Sequence, residues 1–159
     1  MKIQDAISAA LEQVLQGIES PISGLALLTD IGMTTLHCMA LSKEHLEQNH
    51  RDVDLPWMPF DWDLDLSPPG FNQASLNLEE LCGHEAPGDY STRADRACTA
   101  LAAALRTLRQ RHPELAESYM TVVAPDSAEP CLTLEGQVVL SLNGPGISKR
   151  WQEWRESWL

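Results

Sequence analysis

The string DWDLDLSPPGF sets three carboxylates, Asp61, Asp63 and Asp65, at every second position. On an extended strand this spacing turns all three to one face and Trp62, Leu64 and Leu66 to the other. Three uses compete for such a face. An exposed edge strand employs charge to refuse pairing with another chain. A basic protein would be drawn to it, because Glu44, Glu47, Asp52 and Asp54 extend the acidic run. A calcium loop opening at Asp61 needs glycine sixth and glutamate twelfth, but Leu66 and Asn72 stand there, so the metal motif fails.

Other reactive residues are weaker candidates. Cys82-Gly83-His84 invites a thiol-imidazole or zinc reading, yet no CxxC or nearby CxH supplies two further ligands. His37 and Cys38 are adjacent on an expected strand and so face opposite sides. The segment NGPGIS (143–148) has a glycine-rich turn before a helix but neither the GxxxxGK[ST] nor the GxGxxG pattern, which leaves a turn and helix start. No catalytic constellation, metal or cofactor is expected.

The elements that position these residues follow from periodicity. Ile3, Ile7, Leu11, Val14 and Ile18 define an amphipathic helix, stopped near residue 20 by Gly17 and Pro21. The runs GLALLTD and MTTLHCMAL form a hairpin about Gly32, and Ser42 caps a short helix reaching Glu47 or His50. Residues 51–73 contain Pro56, Pro59, Pro68 and Pro69, which exclude a long helix, with Trp57, Phe60, Trp62 and Phe71 as apolar anchors. A short helix is expected over 74–82. A long one starts near Ser91 or Thr92, where Thr92 and Asp95 have the form of a capping box, and ends before Pro113. YMTVV and QVVLSL read as strands, with CLTLEG as a hairpin arm before the second. A final helix follows Gly146, with Ile147, Trp151, Trp154 and Trp158 aligned on one side. The expected architecture is a single α+β domain over 1–159. It has a small antiparallel or mixed sheet packed against several helices, a long central helix and a C-terminal amphipathic helix.

Composition narrows the partners. The 159 residues carry a formal charge of -12. Residues 1–90 hold 15 acids against 3 bases, and the remainder holds 8 of each. Such a field repels nucleic acid and anionic membranes and complements a basic surface. No run approaches the roughly 20 apolar residues of a membrane span. Asp5 and Glu12 interrupt the N-terminal apolar pattern, so it reads as a helix of the mature protein, and the scattered cysteines fit reduced thiols in the cytoplasm.

ISGLALLTDIGMTTLHCMALSKEHLE (22–47), followed by the WMPFDW segment (57–62), resembles a bacterial family of domains of unknown function, the one numbered 4303. Members share an amphipathic N-terminal helix, a hairpin with an LxTD-like turn, a small-helix segment and a segment related to W-x-P-x-E-W. Asp61 stands here where glutamate is commoner. The resemblance spans about the first 65 residues and the long helix after Ser91. It implies no catalytic residues, and it implies kinship with small cytoplasmic proteins encoded beside polymorphic toxins and their immunity proteins.

The expectation is therefore a non-enzymatic immunity-type protein that neutralises a basic toxin or effector through an acidic surface. A general interaction or regulatory domain is the alternative, and an uncharacterised enzyme a more remote one. The expected contacts are Asp54, Asp61, Asp63 and Asp65, with Trp57 or Trp62 supplying apolar area. The terminal tryptophan stripe is expected in the core, with a homo-oligomer or toxin interface as its other use.

Overall fold

The computed structural model describes residues 3–30, 35–66, 71, 90–123 and 131–159. In chain order these form α1 (Ile3–Gln16), β1 (Ile22–Thr29), β2 (Leu36–Ser42), α2 (Lys43–Gln48), β3 (Leu64–Asp65), α3 (Tyr90–Arg111), β4 (Tyr119–Val123), α4 (Cys131–Leu142) and α5 (Pro145–Glu156). The fold is α+β, with a mixed four-stranded sheet of order β3-β2-β1-β4. β1 runs antiparallel to β2, with Leu27 opposite Cys38, and parallel to β4, with Leu27 opposite Val122.

Both faces of the sheet are covered. Leu25, Leu27, Cys38, Ala40, Met120 and Val122 point to one side. There they meet Ile7, Leu11 and Val14 of α1, Leu101, Leu105 and Leu108 of α3, and Phe71. Ala26, Leu41 and Tyr119 point to the other side, where Leu55, Trp62, Val139, Ile147 and Trp151 cover them. Burial on both faces explains why YMTVV is buried at every position, Thr121 included. Residues 55–62 of the acidic segment and α5 thus belong to the second layer, opposite α1 and α3.

Several expectations hold locally. Ser42 is extended and its hydroxyl accepts the His45 N–H at 3.0 Å, capping α2. The final helix is present but starts earlier than expected, before Gly146: Gly144 and Pro145 open α5, proline at the first turn losing no helical hydrogen bond. His37 is exposed and Cys38 buried, on opposite sides of β2. The Gly32 turn, the helix over 74–82 and the Cys82-Gly83-His84 triplet lie outside the described residues.

Three assignments need correction. CLTLEG and QVVLSL are not two strands but the single helix α4. Leu134, Val138 and Leu142, spaced by four, pack on the first core cluster, while Val139 enters the second, so α4 is apolar on two sides and its pattern imitates a buried strand. Thr92 is not a cap, because α3 begins at Tyr90 and places it inside the first turn. The Asp61 to Asp65 segment is not one extended strand. Residues 59–61 form a 3-10 turn, Pro59 at its start, and only Leu64–Asp65 pairs with β2. The turn rotates the chain, so Trp62 enters the second cluster while Leu64 and Leu66 pack against the first.

Candidate functional site

The acidic segment is held by its own carboxylates. Asp52 accepts the backbone N–H groups of Asp54 (3.0 Å) and Leu55 (3.2 Å), fixing the turn that buries Leu55. Asp54 accepts the indole N–H of Trp154 at 2.9 Å and so ties the segment to α5. Ser42 donates its N–H (2.9 Å) and its hydroxyl (2.5 Å) to Asp63. Partial burial pushes the Asp63 carboxyl up, but these bonds outweigh it and hold the group below the ordinary aspartate range. Asp65 is exposed on β3, opposite Met39. Asp61 is exposed at the end of the 3-10 turn, its side chain turned to solvent. Glu44, Glu47, Asp52, Asp54, Asp61 and Asp63 form no ion pair with Lys or Arg among the described residues.

Trp62 does not belong to this surface. Its side chain is 4% exposed, and its indole N–H donates to Leu55 O at 2.9 Å. The ring packs against β1 at Gly24, where a Cβ would come within 2.6 Å of it. Glycine is therefore required there by close approach. Trp57 is half-buried. It meets Tyr119 edge-on at 5.1 Å between ring centroids and Trp154 at 6.3 Å. Trp154 in turn meets Trp158 at 5.9 Å. The C-terminal stripe is graded: Ile147 and Trp151 are core, Trp154 lies at the boundary, and Trp158 is 63% exposed. Val53 (72%) and Phe60 (57%) add exposed apolar area within the acidic segment.

Of the six residues singled out from sequence, Asp54, Trp57 and Trp62 thus converge on the second core cluster, and Asp63 on α2. Asp61 and Asp65 remain on the surface.

Elsewhere, polar groups have structural duties that local sequence does not reveal. The buried Asn143 accepts the N–H of Met120 (2.8 Å) and donates to Met120 O (2.7 Å) and Val139 O (2.9 Å), closing the outer edge of β4. Arg109 donates to the carbonyls of Leu142 and Ser118, joining α3, α4 and the start of β4. His112 engages Glu12 through Nε2 (2.7 Å) and Glu114 through Nδ1 (3.0 Å). With both ring nitrogens occupied, this imidazole clamps α1 to the end of α3. Burial raises the Cys38 thiol far above its ordinary value, which keeps it an inert thiol. Burial likewise raises the Glu135 carboxyl, against the pull of Arg155, whose guanidinium lies 5.0 Å over the Trp151 ring.

Among the described residues, no group of three or more His, Cys, Asp and Glu is placed to hold a metal ion, and no helix is long and apolar enough to cross a membrane. No family model matches the chain, and no curated protein or solved structure does either. The functional reading therefore rests on the chemistry of the surface itself.

Proposed function

We propose that this chain is a cytoplasmic immunity-type protein that binds and neutralises a cognate bacterial toxin through its acidic surface. The observation that supports it most is the run of carboxylates from Glu44 to Asp63 that form no ion pair with Lys or Arg among the described residues, beside the exposed Val53 and Phe60. Unpaired negative charge steers a basic surface into encounter, and nearby apolar area gives the docked complex contacts that salt does not screen. Asp52, Asp54 and Asp63 already receive hydrogen bonds from N–H or O–H groups, so the surface is pre-shaped and little is lost in ordering it. A toxin that handles nucleic acid or nucleotide phosphates through a basic cleft is the chemistry most directly blocked by such a face. The immunity type is what the resemblance to the family numbered 4303 implies, and no family model matches the chain.

The test is co-expression with the products of neighbouring genes. Co-purification and protection of cells from the effector are expected, and the absence of both overturns the assignment. Asp61→Lys is the sharper variant, because this side chain supports no other element. It should slow association by about tenfold at low salt and leave the melting temperature nearly unchanged. An unchanged association rate removes Asp61 from the contact surface.

A further inference from the structure

The tip of the acidic segment reverses the usual placing of charged and apolar side chains. Asp52, Val53 and Asp54 follow one another, and it is the valine that stands out, 72% exposed. Both flanking carboxylates are engaged by the protein itself. One oxygen of Asp52 accepts the N–H groups of Asp54 and Leu55, and Asp54 accepts the indole N–H of Trp154 at 2.9 Å. The backbone is pinned as well. Asp52 donates its N–H to Asn49 O and Trp57 donates to Asp54 O, both at 2.9 Å, and Leu55 is buried in the second core cluster. Trp154 is itself held, its ring centroid 6.3 Å from that of Trp57 and 5.9 Å from that of Trp158.

Holding Val53 outward gains the isolated chain little burial, whereas docking against an apolar side chain would complete it. A turn already pinned at both ends loses little freedom on binding, and a β-branched side chain with a single stiff χ angle adds little to that loss. Trp154 governs the turn from outside the segment, because the indole has one donor and directs it to Asp54. We infer that Val53 is an apolar contact for the basic protein partner and that Trp154, acting through Asp54, is the residue that positions it. Asp54 serves there as a latch. The inference rests on the reading of the chain as a binder of a basic protein, and it adds to that reading a contact that salt does not screen.

The experiment has two arms on the full chain. In the first, amide hydrogen exchange of the free protein is followed by NMR. Trp154→Phe keeps a ring between Trp57 and Trp158 but has no donor, and it should speed exchange at Asp54 and Leu55 by about fivefold while leaving His45, capped by Ser42, unchanged. Asp54→Asn keeps an acceptor oxygen for the indole and should change exchange less than about twofold. In the second arm, dissociation of the effector recovered by co-expression is measured. Val53→Ser and Trp154→Phe should each speed dissociation by about fivefold with no change in its salt dependence, and Asp54→Asn should alter it less than about twofold. Melting temperatures of the variants confirm that they are folded. Unchanged exchange in Trp154→Phe, or dissociation indifferent to Val53→Ser, overturns the inference and leaves the proposed function standing, because the complex still forms. The absence of any effector complex overturns the proposed function and the Val53 contact with it.

Discussion

Gly24 and Trp62 show how one residue without a side chain decides where a large one goes. The indole occupies the space a Cβ at position 24 would need and donates to Leu55 O, so a single ring closes the 55–62 turn onto β1. Gly24→Ala must displace either the ring or the strand. The expected cost is about 1–3 kcal/mol in urea unfolding, as in other overpacked cores, with a change in tryptophan fluorescence. Unfolding identical to that of the parent chain would show that the ring moves aside freely. The tryptophan stripe of α5 gives a graded series at the same scale. Trp151→Ala should cost about 3–5 kcal/mol, because a fully buried indole leaves a cavity. Trp154→Ala should cost roughly 1–2 kcal/mol, losing partial burial and its bond to Asp54. Trp158→Ala should stay within about 0.5 kcal/mol. Equal losses at all three positions would contradict the gradient.

At the level of elements, the clamp between α1 and α3 responds to pH in a direction that can be worked out. The hydrogen bond from His112 lowers Glu12, and the bond to Glu12 raises His112 above the ordinary value of 6.5. The raised imidazole contributes stability fully below its unfolded pKa and loses it as pH rises through the folded value. The lowered carboxylate contributes above its unfolded value of 4.5 and loses this as pH falls through its folded value. The clamp is therefore strongest between those two ordinary values. The difference in melting temperature between the parent chain and His112→Ala should be largest there and shrink as the medium turns alkaline. A difference independent of pH would mean that the ring acts only by packing. Such a clamp was not legible in the sequence, because Glu12 and His112 lie 100 residues apart. Locally encoded features were legible: the Ser42 cap, the β1–β2 hairpin, and the end of α3 before Pro113. Those decided by tertiary context were not. α4 lies against β4 and feeds both core clusters, so its apolar residues mimic a buried strand, and Asn143 caps a strand 23 residues away. Among the site residues, the alternation at Asp61, Asp63 and Asp65 was visible, but the turn that sends Trp62 inward was not.

Across the whole molecule, the sheet buries both faces while the charge stays segregated. Residues 1–90 carry an excess of 12 acids, from 15 against 3. Arg111–Glu12 reaches this region and Lys149–Glu153 lies outside it; both involve exposed cations, and each is worth little in water. Two opposite consequences of salt follow. Folding brings like charges together, so the folded chain repels itself, and screening should relieve that repulsion by more than it weakens the few attractive pairs. The melting temperature should therefore rise with sodium chloride, and most steeply below about 0.1 M, where the screening length is still longer than about 10 Å. Asp61→Lys should reduce this rise by removing charge from the densest part of the field. Association with a basic partner should show the reverse, slowing as salt is added, because the field that strains the fold is the one that steers the encounter. A melting temperature that falls with salt would mean that attractive pairs dominate the folded state, and it would take away the self-repulsion on which this account of the surface depends.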